Sequence, residues 1–331
     1  MNRLRRLWHP ELFHGAGKSA GFFEGWYFKV VDPTESQAWA FIPGVSLAAP
    51  DAKVPSHAFV QVLDGRACSA TYHRYPLEAF HADPQRFEVR VGDNFFSRER
   101  IALAIDDMGQ RVRGELSFEG MNPWPATTLS PGIMGPYSFT PFMQCYHGVL
   151  SLDHLIRGTL AIGDRPIDFT GGRGYIEKDW GRAFPKAWIW AQSNHFERPG
   201  ISLIASIATI PWLTGEFTGY IVGFLCDGKL YRFTTYNGAK VERVAIEADT
   251  VALTIMTREH VLELVGQRAE GGELISPLPN GMEGRIKESL SAQMSVTLRR
   301  RRADKGVVFQ GKGRNGGLEA TGDVQELIRH L

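Results

Sequence analysis

Short runs of alternating or β-branched residues, separated by Gly, Pro, Asn and Asp, make up most of the chain. This pattern is typical of antiparallel strands joined by turns. Helical periodicity is scarce, and its clearest example is Asp323–Leu331, where an Asp precedes apolar residues at helical spacing. No stretch reaches the roughly 18 consecutive apolar residues that a membrane-spanning helix needs. The pattern therefore predicts an all-β protein with one short C-terminal helix.

The same order of elements recurs at a spacing of roughly 160 residues, which indicates an internal repeat. The matched pairs are Trp26–Lys29 with Trp188–Ala191, Ala58–Arg66 with Ile221–Lys229, and Ser97–Leu103 with Thr257–Leu264. The second pair consists of two predicted hairpins, each over an Asp-Gly turn. One match could arise by chance, but three in the same order favour a tandem repeat of an antiparallel β unit.

Each repeat of about 150 residues suits a small up-and-down barrel, a closure that removes sheet edges and leaves room for one small ligand. We therefore predict two tandem antiparallel β-barrels, over residues 1–183 and 184–331. Residues 122–146 interrupt the first barrel with a stretch rich in Pro, Gly and aromatic residues. Long loops in compact domains are usually functional or disordered, and the aromatic content disfavours disorder. We expect this lid segment, residues 122–146, to cover a barrel mouth.

Charge and cysteine content narrow the classes of function. The 331 residues carry 37 Lys and Arg against 36 Asp and Glu, a formal net charge of +1. There is no overall field to attract nucleic acid, so we expect no nucleic-acid partner. Three widely spaced cysteines without a Cys-x-x-Cys pair argue against a disulfide framework and against a structural zinc site. Trp8–Glu11 interrupts the N-terminal region before a signal-peptide core could form, so we expect a cytoplasmic protein.

Residues 172–196 carry the most informative chemistry. Three charged residues, Glu177, Lys178 and Asp179, lie among aromatic residues. Charged groups are rarely buried unless they are paired or functional. In a strand, alternation turns Glu177 and Asp179 to one face and Lys178 and Trp180 to the other. The segment therefore suggests acid chemistry on an apolar substrate.

Several blocks of the sequence resemble the tocopherol cyclase family. They are Phe23–Val30, Asn122–Pro125, Ser130–Tyr137, Cys145–Gly148, Glu177–Gly181 with Phe184–Pro185, and the Trp-x-Trp-x-Gln-x-Asn of Trp188–Asn194. The resemblance covers most of residues 20–200 and implies paired lipocalin-like barrels. Gly25-Trp26 is itself similar to the Gly-x-Trp signature of lipocalins. A more distant resemblance is to lipocalin-like carotenoid hydratases.

The resemblance implies acid-catalysed cyclisation of a prenylated quinol. An acid protonates the side-chain alkene, and a phenol oxygen captures the tertiary cation to close a chromanol ring, without a redox cofactor. This chemistry needs a proton donor, a dry pocket with π faces and a polar group for the phenol. We assign Asp179 as the acid and Glu177 as the second choice, because burial beside aromatic residues would keep a carboxyl group protonated. The predicted substrate-binding residues are Tyr146, His147, Tyr175, Lys178, Trp180, Trp188, Trp190, Gln192 and Asn194.

Other interpretations of the same residues remain open. The three charges could instead form a structural ion-pair cluster with Arg173 or Arg182, and Glu24 or Lys29 could pair with the motif. At least one indole could belong to the core. The protein could be a carrier of an isoprenoid without catalysis, or a hydratase in which water captures the cation.

The expected partner is an apolar, prenylated small molecule. Because such molecules reside in membranes, the arginines at positions 3, 5 and 6 and the run Arg299–Arg302 could contact anionic lipid.

No cofactor or metal is expected from the remaining motifs. Gly311–Gly316 fits Gly-x-Gly-x-x-Gly, but a nucleotide fingerprint must open a helix within a βαβ unit, and the residues after it favour a cluster of turns. His147 and His154 lack the spacing of zinc ligands.

Overall fold

The computed structural model describes residues 5–107, 109–301 and 306–331. By their contacts these residues form two compact units. The first comprises the described residues up to Phe184 together with Gly272–Ile286, and the second comprises Pro185–Gly271 with Lys287–Leu331. The division after Phe184 lies one residue from the predicted one. Residues 272–286, which the prediction placed in the second barrel, belong to the first unit.

The first unit consists of strands and short turns. Its strands are β1 (Phe22–Val31), β2 (Ala38–Leu47), β3 (His57–Asp64), β4 (Ser69–Tyr75), β5 (Phe80–Ala82), β6 (Glu88–Val91), β7 (Asn94–Ser97), β8 (Arg100–Asp107), β9 (Gln110–Glu119), β10 (Cys145–Ile162), β11 (Arg165–Asp168), β12 (Arg173–Gly181), β20 (Gly272–Leu278) and β21 (Gly281–Glu288). Single 3-10 turns occupy Arg5–Leu7, Leu77–Ala79 and Gly135–Phe139.

The second unit is built in the same way. Its strands are β13 (Trp188–Ser193), β14 (Ser202–Trp212), β15 (Gly215–Cys226), β16 (Lys229–Thr234), β17 (Lys240–Ile246), β18 (Thr250–Met256), β19 (His260–Gln267), β22 (Ala292–Arg300) and β23 (Val307–Thr321). A 3-10 turn spans Thr235–Asn237, and helix α1 spans Val324–Arg329. Among the described residues, no helix has the length and apolar character needed to cross a membrane.

A curled antiparallel sheet forms the body of the first unit. Its strand order is β4-β3-β2-β1-β12-β10-β9-β8-β7-β6-β5, with β11 paired to β10. Inward residues of β1 and β3, such as Phe28 and Val62, share one core with Val89 of β6 and Leu103 of β8. Strands far apart in the sheet therefore face each other across this core. Alternation explains the pattern, since in β8 Ile101, Leu103 and Ile105 are buried while their neighbours are more exposed.

The second unit repeats this plan. Its strand order is β16-β15-β14-β13-β23-β22-β19-β18-β17. Phe224 of β15 and Leu264 of β19 meet in one core, so this sheet is also curled. In both units the chain enters through a four-strand meander, and the first strand then pairs with a strand from near the end of the unit. The predicted all-β fold of two tandem lipocalin-like units with a short C-terminal helix is confirmed.

Local signals of the repeat are also found in the structure. The Asp-Gly turns join β3 to β4 and β15 to β16, as predicted. Ser97 accepts hydrogen bonds from the backbone N–H groups of Glu99 and Arg100, and Thr257 accepts the same pair from Glu259 and His260.

The prediction of turns at Gly311–Gly316 was wrong. This segment lies inside β23, and its glycines allow close packing, since a Cβ at Gly313 would lie 2.9 Å from Ser193 Oγ.

Candidate active site

Strand β12 holds the charged motif at the centre of the first unit's sheet. It pairs antiparallel with β1 on one side and with β10 on the other. Lys178 lies opposite Trp26 of β1, and Asp179 lies opposite His147 of β10. The predicted alternation is observed, and it gives this largely buried strand two chemically different faces.

One face carries a buried ion pair. The Lys178 ammonium and the Glu24 carboxylate are both fully buried and in contact. Lys178 Nζ also donates to the carbonyl oxygens of Pro10 at 2.8 Å and Leu12 at 2.6 Å. Burial lowers the pKa of Lys178 to about 8, although Glu24 opposes the shift. Lys178 therefore pairs within the first unit through Glu24, one of the partners considered from the sequence.

Glu24 also fastens the segment before β1. Its carboxylate oxygens accept the backbone N–H of His14 at 2.9 Å and that of Gly15 at 3.0 Å. Burial raises the pKa of Glu24, but Lys178 and His14 outweigh it, and the net shift is downward. The carboxylate is thus held ionised by the groups around it.

Aromatic rings surround the Lys178 ammonium. Nζ lies 4.6 Å from the ring centroid of Trp26 and 4.8 Å from that of Trp180. The Trp180 ring stacks with His14 at a centroid distance of 4.3 Å and with Tyr146 at 5.5 Å. Trp26 is fully buried, and its indole N–H donates to the Glu11 carbonyl at 3.1 Å. Trp26 is therefore a core residue, whereas Trp180 also reaches the cavity described below.

The opposite face of β12 carries an acidic cluster around one histidine. His147 Nδ1 lies 2.9 Å from Asp179 Oδ1, and His147 Nε2 lies 3.7 Å from Glu177 Oε2. The Tyr175 hydroxyl donates to Glu177 Oε2 at 2.5 Å. The Asp179 side chain is 27% exposed, against 7% for Glu177. Of the two predicted acids, Asp179 is therefore the more accessible.

This cluster retains a proton at neutral pH. Burial lowers the pKa of His147, but the carboxylates of Asp179 and Glu177 outweigh burial and raise it to about 9. Burial, together with Glu177, raises the pKa of Tyr175 well above its ordinary value. An imidazolium between two carboxylates is a coupled group, and its proton belongs to the set.

A cavity of about 340 Å³ opens beside these groups. It is lined by the N-terminal segment, the lid segment and the end of β12. The lining residues are Arg6, Leu7, Pro10, His14, Lys18, Phe22, Pro131, Gly132, Ile133, Ser138, Phe139, Thr140, Pro141, Phe142, Met143, Tyr146, His147, Trp180, Gly181 and Arg182. The lid segment therefore contributes directly to the wall, and three predicted site residues, Tyr146, His147 and Trp180, line it. The predicted acids Asp179 and Glu177 are not among the lining residues and adjoin the cavity through His147.

The acidic cluster has the residue types of a metal site. Ligand atoms of His147, Glu177 and Asp179 all lie within 4.8 Å of one another. However, Asp179 Oδ1 is engaged with His147, and Glu177 Oε2 accepts from Tyr175. The same atoms can serve as a relay for protons within the hydrogen-bonded set.

The structure divides the predicted site residues between the units. Glu177, Lys178, Asp179, Trp180, Tyr146, His147 and Tyr175 come together in the first unit. Trp188, Trp190, Gln192 and Asn194 belong to β13 and the residue after it in the second unit, and none of them lines the cavity. The Trp188 indole donates to Glu319 Oε2 at 2.6 Å, and Trp190 packs closely over Gly317. Their assignment to substrate binding stays a prediction.

The two arginines considered as partners of the motif lie in different surroundings. Arg173 Nε donates to Asp153 Oδ1 at 2.7 Å, and Arg182 is exposed at the cavity wall.

Sequence reasoning missed the N-terminal segment, residues 5–18, which supplies His14, Pro10 and Lys18 to the cavity. The available signal was the aromatic, His- and Pro-containing stretch that precedes the first strand.

Comparison with known proteins identifies a family and several relatives. Residues 105–322 match the model of a family described as tocopherol cyclase-like. A chloroplastic protein of Oryza sativa subsp. japonica, described as a probable tocopherol cyclase, is 24% identical over 275 residues, covering 68% of this chain and 58% of that protein. The chloroplastic tocopherol cyclase of Zea mays is 23% identical over 315 residues, covering 78% of this chain and 65% of that protein. The chain thus spans less than two thirds of the length of either relative.

Solved structures share the fold at low identity. A protein of Nitrosomonas europaea assigned as AttH superposes with a TM-score of 0.53 at 16% identity, covering 91% of this chain and 92% of that chain. Kievitone hydratase from Nectria haematococca gives a TM-score of 0.51 at 12% identity, covering 90% and 89%.

Proposed function

The chain belongs to the tocopherol cyclase-like family, and from that premise we propose that it catalyses proton-initiated addition of a hydroxyl group to an isoprenoid alkene. The leading reaction is ring closure of a prenylated quinol to a chromanol. Support comes from the names of the two plant relatives and from the cluster at the cavity.

The observation that carries the proposal is the proton held beside the cavity. His147 lines the cavity and has a pKa raised to about 9, because Asp179 and Glu177 outweigh its burial. Displacement of the proton along the 2.9 Å hydrogen bond from Nδ1 to Asp179 gives a neutral pair in which Asp179 is a carboxylic acid. The Asp179 side chain is the more exposed of the two carboxyl groups but is not among the residues that line the cavity, so its proton reaches the substrate through His147.

The proposed reaction balances without another reagent. The His147–Asp179 pair, of which His147 lines the cavity, gives its proton to one alkene carbon, and the other carbon becomes a tertiary cation. The phenol oxygen forms a C–O bond to that carbon, and the phenol proton returns to the His147–Asp179 pair. Tyr146 and Trp180 line the cavity, where contact with an aromatic ring would stabilise a cation by about 0.5–2 kcal/mol. Glu177 acts through His147 by helping the pair to retain the proton.

Hydration of an isoprenoid alkene is the second candidate. A water molecule in place of the phenol would leave the same proton transfers intact, and one protein of similar fold is named a hydratase. The products differ, because a chromanol is an isomer of its quinol whereas a hydrate is heavier by one water. A carrier would yield neither.

Replacement of Asp179 tests the proposal. Asp179→Asn keeps the side-chain shape and removes the transferable proton, so turnover of a prenylated quinol should fall about a hundredfold to ten-thousandfold, with little change in ligand affinity. Asp164→Asn is the matched control, because Asp164 is 96% exposed in the same unit. Products are separated by chromatography and weighed by mass spectrometry.

The outcomes discriminate between residues and between functions. Full activity in Asp179→Asn with loss in Glu177→Gln would transfer the role to Glu177. Activity in both variants would remove the cluster from catalysis. If the unmodified protein binds the ligand tightly but forms no product from several prenylated phenols, the enzymatic proposal is wrong and the protein is a carrier.

A further inference from the structure

The lid segment exposes large apolar side chains to solvent. Phe142 is 90% exposed, Leu129 is 78% exposed and Phe139 is 42% exposed. Phe142 also has a φ of +63°, a strained backbone conformation that is rare for a bulky residue. Such backbone strain clusters at functional positions. Apolar residues grouped in this way on one segment mark an interaction surface more often than isolated ones do.

Cationic side chains accompany these apolar residues. Arg6, Lys18 and Arg182 line the same cavity as Phe139 and Phe142. Lys18 and Arg182 are exposed. None of the described residues that line the cavity is an Asp or a Glu. This part of the first unit therefore combines apolar and positive character, whereas the formal net charge of the whole chain is only +1.

The N-terminal segment fixes the lid beside these cations. The Trp8 indole N–H donates to the Thr127 carbonyl at 3.1 Å, and the Trp8 ring meets Phe139 edge to face at 5.6 Å. The Tyr146 hydroxyl, 2.8 Å from the Thr140 carbonyl, holds the other end of the lid. Phe142 is therefore presented on a supported turn.

The size of the cavity indicates which part of a long substrate would lie outside it. A volume of about 340 Å³ is at the small end of the roughly 300–1,000 Å³ of ligand pockets. It suits a ring and a reacting alkene, with the rest of a prenyl tail passing out beside Phe142. This step alone rests on the proposed function.

We propose that the lid segment docks on an anionic phospholipid bilayer, with Phe142 and Leu129 inserted among the lipids and Lys18 and Arg182 at the level of the phosphates. Apolar insertion combined with charge attraction is the general mode of peripheral binding. The sequence had suggested the N-terminal arginines and Arg299–Arg302, of which positions 3 and 302 lie outside the described residues. Arg299 is engaged with Glu263 at 3.3 Å, and Arg301 donates to the Thr257 carbonyl.

Vesicle flotation with the full chain tests the docking. The vesicles are phosphatidylcholine alone or phosphatidylcholine mixed with phosphatidylglycerol, without any substrate, so that the result is independent of catalysis. We expect binding to the mixed vesicles that weakens as salt rises. Phe142→Asn should lower the affinity about tenfold, and Arg182→Gln about fivefold. Asn tolerates a positive φ, so the first substitution keeps the turn.

Leu213→Asn is the matched control. Leu213 is 95% exposed with a φ of +50°, but it lies at the β14–β15 turn of the second unit, outside the cavity lining. Its replacement should leave vesicle binding unchanged. The proposal is overturned if the chain does not bind anionic vesicles, or if the Leu213 variant loses as much affinity for them as the Phe142 variant. It is also overturned if Phe142→Asn instead changes the oligomeric state measured by sedimentation, since the lid would then contact another copy.

Discussion

Lys178 and Glu24 form the most completely buried pair of opposite charges in the candidate site. Each residue also has partners outside the pair. Lys178 donates hydrogen bonds to two backbone carbonyls, and Glu24 accepts hydrogen bonds from two backbone N–H groups. Removal of one member of such a pair leaves an uncompensated charge in a dry environment.

Lys178→Met should therefore lower the free energy of unfolding by about 3–5 kcal/mol. The double variant with Glu24→Gln should recover part of the loss, because the isolated carboxylate is gone. Urea unfolding of both single variants and of the double variant gives the coupling. Strictly additive losses would contradict the pairing.

The proton on His147 predicts a pH dependence. Its pKa in the folded protein is raised to about 9 from 6.5. The cluster therefore holds its proton below about pH 9 and releases it as the pH rises through that value. Turnover should fall across that range. The stability that the charged imidazole contributes should be complete below about pH 6.5 and lost over the same rise.

Comparison with Glu177→Gln tests this assignment. Loss of one carboxylate lowers the pKa of His147, so the alkaline limb of the turnover profile should move to lower pH. An unmoved limb would mean that another group sets it. Turnover and urea unfolding are measured from pH 6 to 10 for both proteins.

At the scale of residues, only part of the site was predictable from the sequence. The alternation of side chains along a strand was sufficient to assign Glu177 and Asp179 to one face and Lys178 and Trp180 to the other. This assignment needs no knowledge of the neighbouring strands. The partner of Asp179 was not predictable, since it depends on the register of β10, which contains bulges that spacing does not reveal. His14 stacks on Trp180 in a segment that both Lys178 and Glu24 hold by hydrogen bonds to its backbone.

At the scale of elements, the lid is attached to β10 through Tyr146. Its hydroxyl donates to the Thr140 carbonyl at 2.8 Å and accepts from the Met143 N–H at 3.3 Å, so it closes the turn that carries Phe142. The ring of Tyr146 is separately stacked on Trp180.

Tyr146→Phe should loosen the lid while it leaves the ring in place. We expect KM for a prenylated quinol to rise severalfold, with a smaller change in kcat, because the hydroxyl acts on the cavity wall and not on the reacting atoms. Tyr137→Phe is a comparison within the same lid, at a residue that does not line the cavity. Equal effects of the two variants would contradict the role of Tyr146.

The strands were largely predictable because alternation and Asp-Gly turns are local signals. The glycines of β23 misled the prediction, because they serve close packing and leave the strand intact. The course of the N-terminal segment was not predictable, since it follows contacts with residues more than 100 positions away, such as Lys178.

At the scale of the molecule, the two units are not two consecutive pieces of chain. The β20–β21 hairpin comes from the second half of the sequence and lies against β3 and β4 of the first unit. The Gln61 side chain accepts the Ile275 N–H at 2.8 Å and donates to the Ile275 carbonyl at 3.0 Å. The repeat in the sequence predicted the fold of each unit but could not predict this exchange, because it has no counterpart in the first half.

A fragment that ends at Phe184 should therefore be less stable than the first unit of the intact chain. We expect residues 1–184 to unfold at lower urea concentration or to aggregate when expressed alone. Coexpression with residues 185–331 should restore a soluble complex. Equal stability of the fragment and of the intact first unit, followed by the fluorescence of Trp26 and Trp39, would show that the hairpin contributes little.

The late position of this hairpin also sets an order of events during synthesis. The ribosome adds about 5–20 residues per second, so the roughly 100 residues between Phe184 and Ile286 take about 5–20 s to appear. Throughout that interval the nascent first unit has its lid and acidic cluster but lacks its final covering strands. Codon choice in the region that encodes residues 185–286, and the chaperones that attend it, should then influence the yield of folded protein more than the same changes near the end of the gene.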